Sequence, residues 1–215
     1  MSRLIQFAEN NKKILGATTN YWTTLQSLGL DKPKNPTIFM KPPSALITEG
    51  QSIEIPKGFT VNEEIELGVV IDKTGRDLKE CNAMSIVGGY CLALDLTAVF
   101  QMKEVRSRGL PWLIPKGFDT ACPVGSFIPK SVIDSNNVEL WCSVNGQIRQ
   151  RGNTCDFIFK IPALIAYITK YITLHECDII LTGTPPGMSP ILPGDIVEGG
   201  IKYWSSFNFD VIERC

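Results

Sequence analysis

Along Glu64-Ile65-Glu66-Leu67-Gly68-Val69-Val70-Ile71, apolar residues at 65, 67, 69 and 71 alternate with Glu, Glu, Gly and Val. A period of two predicts a half-buried strand and does not suit an amphipathic helix. Glu64 and Glu66 then share a face, with backbones ~6.6 to 6.8 Å apart, so their carboxylates can converge on one cation. Glu63 falls on the other face, where it is expected to be solvated. Without a cation, two carboxylates this close repel each other and one tends to take up a proton.

A second alternation, Tyr90-Cys91-Leu92-Ala93-Leu94-Asp95-Leu96-Thr97, places Asp95 alone within a very apolar strand, on the face of Cys91 and Ala93. A buried acid needs a partner. An oxygen-only ligand set favours Mg²⁺ or Mn²⁺ over zinc and leaves coordination positions for water and substrate. A plainer arrangement is equally compatible with the spacing: the glutamates line the wet side of an antiparallel strand and Asp95 pairs with a structural Lys or Arg.

The remaining punctuation is mostly β-type. Thr37 to Met40 reads as a strand stopped by Pro42-Pro43, and Ser52 to Ile55 as another stopped by Pro56-Lys57-Gly58. Val138 to Val144, Asn145-Gly146 and Gln147-Ile148-Arg149 form a hairpin signal, since Asn-Gly accepts the positive φ angles of a type I′ turn. The clearest helix runs from about Pro162 to Tyr171, with an apolar stripe of Ile161, Leu164, Ile165, Ile168 and Ile172. Asp178 to Thr182 is then a strand, ended by the loop Gly183 to Gly187. His175, the lone histidine, falls in the turn before that strand and is expected to be exposed and uninvolved in catalysis.

Twenty-one Lys and Arg against 22 Asp and Glu, with no block of one sign, leave no footprint for nucleic acid or an anionic membrane. No apolar run reaches the ~18 residues of a membrane span, and a soluble protein is expected. The seven cysteines (81, 91, 122, 142, 155, 177 and 215) lack zinc-ligand spacing and read as reduced thiols of an intracellular compartment. Residues 1–15 suit either a first structural helix or an organelle-targeting segment. Length and composition suit one domain over residues 1–215.

The chain resembles the fumarylacetoacetate hydrolase family, in its small acylpyruvase, oxaloacetate decarboxylase and oxaloacetate tautomerase branch. The resemblance spans nearly the whole chain. It rests on the order of Glu64 to Val70, Gly88-Gly89-Tyr90, Leu94 to Ala98, Gly109-Leu110-Pro111-Trp112, Lys116-Gly117-Phe118-Asp119, Cys122-Pro123-Val124-Gly125 and Leu181 to Pro185. It implies an α+β, mainly β fold, the family's mixed β-roll with a few short helices, as a single catalytic domain and usually a homodimer. It also implies Mg²⁺ or Mn²⁺ on Glu64, Glu66 and Asp95, chelated by the carboxylate and 2-oxo oxygens of a small 2-oxo acid such as oxaloacetate or an acylpyruvate. The cation and Lys116 would stabilise the enolate oxygen. The Thr184 hydroxyl and amides around Gly183 would hold the substrate carboxylate, with Asn20 and Tyr21 also at the substrate. Taken alone, Lys116 is an ordinary surface lysine in a Pro-Lys-Gly turn and Gly183-Thr184-Pro185 a β-turn. By the same resemblance the compartment is mitochondrial, with cytoplasmic as the alternative.

The branch's His–Glu dyad, which activates water or relays a proton, is replaced here by Thr24 and Ser27, and its Arg before Asn20 by Thr19. Its Arg-Asp pair after Ala98 becomes Val99-Phe100, and its downstream Gln aligns with Met102, leaving Gln101 one position off. A threonine is no base near neutral pH. The expected activity is therefore oxaloacetate keto–enol tautomerisation or decarboxylation, ahead of acylpyruvate hydrolysis or a non-catalytic binding role.

Overall fold

The computed structural model describes residues 3–201 and 204–214. Cys215 and the first two residues of the N-terminal segment lie outside them. The largest sheet runs in the order β2 (Thr37–Lys41), β1 (Ile14–Thr18), β13 (Ile179–Leu181), β6 (Ile65–Ile71), β7 (Val87–Leu94), β9 (Cys122–Val124) and β3 (Leu46–Thr48), with β10 (Ile128–Pro129) on β7. A second sheet orders β12 (Gln147–Asn153), β11 (Glu139–Val144), β15 (Ile196–Ile201), β16 (Ser205–Glu213) and β4 (Ile53–Ile55). A third joins β14 (Pro190–Ile191), β5 (Val61–Asn62) and β8 (Thr97–Ala98). Short helices fill the gaps: α1 (Phe7–Asn10), α2 (Trp22–Ser27), α3 (Glu80–Ala83), α4 (Val99–Ser107), α5 (Leu113–Gly117) and α6 (Ile161–Thr169). The fold is the mainly β, α+β class expected, and none of these helices is long and apolar enough to cross a membrane.

β6 is the spine of the molecule. It pairs antiparallel with both β13 and β7, and every residue along it is buried. The alternation at 64–71 predicts a strand with one wet face, but Glu66, Gly68 and Val70 are as buried as Ile65, Leu67 and Val69. A covering layer is a tertiary feature that strand periodicity does not encode.

The Asn-Gly hairpin forms as its residues require, with Asn145 and Gly146 at φ of 53° and 74° between β11 and β12. In α6, Ile161, Leu164, Ile165 and Ile168 form the buried stripe, while Ile172 lies past the helix end and stays 37% exposed. Each such buried side chain stabilises the fold by about 1.5–3 kcal/mol. At the N-terminus the helical reading contracts to α1, one turn, because β1 begins at Ile14 and pairs in parallel with β13.

Candidate metal centre and cleft

Glu66 lies opposite Ala93 and Ile65 opposite Leu94 in the β6–β7 ladder. One step further, the Asp95 amide donates to the Glu64 carbonyl at 2.8 Å. Directly opposed residues of an antiparallel pair share a face. Glu64, Glu66 and Asp95 therefore converge, and a carboxylate oxygen from each lies within 4.8 Å of the other two. Asp95 does not sit inside a strand as the alternation predicts: β7 ends at Leu94, and Asp95 occupies the break before β8.

Lys116, on α5, is only 4% exposed. Its ammonium donates to Asp95 Oδ2 at 2.5 Å, Thr97 Oγ1 at 2.6 Å and Glu64 Oε2 at 3.1 Å, and lies 4.6 Å from the centre of the Phe39 ring. The surface-turn reading of Lys116 is thus excluded. Burial alone would lower its pKa, but the charges of Asp95 and Glu64 outweigh this and hold the ammonium above its ordinary value.

A second buried lysine escaped the sequence reading. Lys41, at the end of β2, has no solvent exposure and spends its three N–H groups on the carbonyls of Leu96, Lys116 and Ala121 at 2.6–3.0 Å. Its nitrogen also lies 2.8 Å from Asp95 Oδ1. With all three protons engaged elsewhere, it gives that oxygen charge without a hydrogen bond, and Asp95 Oδ1 remains buried with no donor. Burial pushes the Asp95 carboxyl up, but Lys116 and Lys41 outweigh it and hold the group below its ordinary value. Lys41 sits next to Pro42 in a strand of mixed exposure, so only the tertiary fold reveals its partners.

The opposite holds for Glu66, which burial and then the Asp95 charge push well above the ordinary range, against the pull of a Gly183 amide at 2.6 Å. Glu64 is also raised, by burial first, with Lys116 opposing. Three converging carboxylates, one with an undonated buried oxygen and one poorly ionised for want of positive charge, fit a hard divalent ion.

The residues around this cluster hold it in place. Gly183 stands at φ 100°, and a Cβ there would come within 2.8 Å of Asn20 Cβ. Its amide, expected at the substrate, is committed to Glu66. Asn20, also expected at the substrate, is fully enclosed: its amide group donates to the Thr182 and Phe159 carbonyls and accepts from the Phe159 amide, at 2.8–3.0 Å. It positions the 182–183 corner. Tyr21 is likewise enclosed, edge-on to Phe157 with its centroid 4.9 Å away.

Thr184 lines the cleft, but its hydroxyl donates to the Ile65 carbonyl at 2.9 Å and accepts from Gln150 Nε2 at 2.8 Å. Its proton is therefore not free for a substrate carboxylate. Gln150, a positioning residue not foreseen from sequence, also accepts from the Ile65 amide at 2.8 Å. Glu63, expected in solvent, is buried and accepts from the Ser189 amide and hydroxyl at 2.8 and 3.0 Å. The loop before β14 covers it, and burial pushes its carboxyl up to about 7. His175 is half-buried, beside Thr74, and does not line the cleft.

The cleft over the cluster encloses about 410 Å³, with Glu64, Lys116, Thr97 and Thr184 at its base and Thr24, Leu28, Leu30, Met102 and Arg106 among its walls. The described cysteines are all free, with Cys91, Cys122, Cys142 and Cys177 buried.

Residues 13–211 match the model of the fumarylacetoacetate (FAA) hydrolase C-terminal family. The chain belongs to the fumarylacetoacetate hydrolase family. Among its relatives, the Dictyostelium discoideum protein named oxaloacetate decarboxylase, mitochondrial, is 46% identical over 213 residues, covering 97% of this chain and 98% of the relative. The Homo sapiens protein named oxaloacetate tautomerase FAHD1, mitochondrial, is 43% identical over 211 residues, 97% of this chain and 95% of its own. The Pseudomonas aeruginosa fumarylpyruvate hydrolase, solved with Mn²⁺ and pyruvate, superposes with a TM-score of 0.88 at 26% identity, covering 95% of this chain and 91% of the other.

Within that family framework the dyad positions are plain. Thr24, on α2, donates its hydroxyl to the Thr184 carbonyl at 2.8 Å, and Ser27 donates to the Thr24 carbonyl at 2.8 Å. The Thr24 hydroxyl ties α2 to the cleft wall, while that of Ser27 closes back on its own helix. Met102 occupies the wall where the branch's glutamine is expected.

Proposed function

We propose that this chain is a divalent-metal-dependent enzyme that interconverts the enol and keto forms of oxaloacetate, with Mg²⁺ or Mn²⁺ on Glu64, Glu66 and Asp95. The observation that carries the reading is the convergence of those three carboxylates beside the buried Lys116, at the base of a cleft. Relatives of 42–46% identity with tautomerase or decarboxylase names support the same substrate. The cation, when bound, supplies Lewis-acid charge to the 2-oxo oxygen.

Lys116 stays protonated at neutral pH, so it is a fixed positive charge beside the place where negative charge grows on that oxygen, its three N–H groups engaged by Asp95, Thr97 and Glu64. Asp95 and Thr97 orient its ammonium. Keto–enol exchange needs that charge held and a proton moved at C3, and an open cleft admits water as carrier. Hydrolysis of a carbon–carbon bond needs an activated water in addition, and Thr24 has its proton committed and no basicity to offer. Decarboxylation passes through the same enolate and is the second reading, favoured by the name of the Dictyostelium relative.

The test follows oxaloacetate enol-to-keto conversion by ultraviolet absorbance with Mg²⁺, with Mn²⁺ and with EDTA. Metal-dependent turnover should fall by at least ~100-fold in Glu66→Ala and Asp95→Ala. Turnover in either variant close to that of a surface control would sink the proposal. The proposal extends to a single catalytic domain over 1–215, a homodimer and a mitochondrial compartment, the last supported by the relatives' names. Light scattering and organelle fractionation read these out.

A further inference from the structure

One wall of the cleft is a single face of α4: Val99, Met102, Lys103 and Arg106 all line it, at i, i+3, i+4 and i+7. The helix starts two residues past Thr97, whose hydroxyl takes the Lys116 proton, and leads away from the metal centre. At ~1.5 Å per residue, Lys103 and Arg106 stand about 6 and 10 Å along the axis from Val99, and both have side chains long enough to reach back. The same wall therefore runs from apolar near the reacting end to cationic further out.

Neither cation is neutralised. Among the described residues no carboxylate pairs with Lys103 or Arg106, and the neighbouring Glu104 is taken by Arg108 at 2.8 Å. The Arg106 guanidinium lies 4.8 Å from the centre of the Trp112 ring, a contact that presets its position and leaves its charge intact. Apart from Lys116 at the carboxylate cluster, Lys103 and Arg106 are the cations of the cleft lining, whose other walls include Thr18, Thr19, Thr24, Asn62, Leu28, Leu30 and Met188.

We infer that Lys103 and Arg106 form a distal-anion subsite that holds the second carboxylate of a dicarboxylic 2-oxo acid. The inference rests on the proposed function and specifies its substrate class: the metal centre and Lys116 read the 2-oxo carboxylate end, and α4 reads the far end. A monocarboxylic 2-oxo acid would leave both cations unanswered.

Malate and lactate test this, because they share a 2-oxygen and first carboxylate, cannot enolise at C2–C3 as a 2-oxo acid does, and differ in the distal carboxylate. Calorimetric titration of the Mn²⁺-loaded protein should show malate binding weakened ~30-fold or more in the Lys103→Gln, Arg106→Gln double variant, and lactate binding weakened less than about twofold. Raising salt should weaken malate more than lactate in the wild type and equally in the double variant. With oxaloacetate, the variants should raise KM more than they lower kcat. Equal losses for malate and lactate, or no loss for malate, would overturn the subsite while leaving oxaloacetate turnover by the wild type to support the function. A wild type that neither binds malate nor converts oxaloacetate would overturn both.

Discussion

The Asp95 carboxylate is shared by two lysines of different character. Lys116 lines the cleft and donates to Asp95, Thr97 and Glu64, whereas Lys41 stands behind, its protons spent on carbonyls. Removing a buried charge strands its partners, at a cost of about 3–5 kcal/mol. Lys41→Met should therefore destabilise the protein by about that much in urea unfolding, well beyond the effect of replacing an exposed lysine such as Lys57. A cost below about 1 kcal/mol would mean that the Lys41 contacts contribute little. The convergence of Glu64, Glu66 and Asp95 was legible because they lie in or just beside strands that alternate in polarity. Lys41 and Gln150 were not, because each satisfies partners 34 or more residues away and carries no local pattern. Glu63 was misread for the same reason, since its cover comes from Ser189. The thiols allow a second residue-scale prediction. Burial pushes Cys122 up to about 12, which cuts its thiolate near neutral pH to roughly one thousandth of that of an exposed cysteine. A maleimide probe on native protein should label Cys81 and Cys155 and spare Cys91, Cys122 and Cys142 until denaturant is added, as peptide mass spectrometry would show.

Among the elements, the 182–184 corner does more than turn the chain. It brings the Gly183 amide onto Glu66 and the Thr184 hydroxyl onto the Ile65 carbonyl, so a loop that reads as a β-turn clamps the start of the strand that carries Glu66. Gly183→Ala places a methyl against Asn20 at a backbone angle that L residues avoid. We expect an intact circular dichroism spectrum with Mn²⁺ affinity weakened ~10-fold or more by calorimetry. Unchanged affinity would show that the Gly183 amide is dispensable. The β11–β12 hairpin and α6 were readable because Asn-Gly and a helical apolar stripe are local codes. The two-faced burial of β6 was not, because alternation reports which residues differ in polarity and says nothing of what the rest of the chain lays over them.

For the whole molecule, a cation that binds only the folded state adds to its stability, by about 2.7 kcal/mol at a hundred times its dissociation constant. The melting temperature should rise saturably with Mn²⁺ or Mg²⁺, return to the starting value with EDTA, and not respond in Glu66→Ala. A response of equal size in that variant would place the stabilising ion elsewhere. The apo fold should survive chelation, since Lys116 already bridges Glu64 and Asp95.

The carboxylates that could hold a metal lie on or beside β6 and β7, among the most deeply packed strands, whereas Lys103 and Arg106 stand on an exposed helix at the rim. A change at the former is felt by the core, and a change at the latter by little beyond the ligand. Substitutions on α4 should therefore retune which ligand is held while the buried carboxylates beneath stay in register.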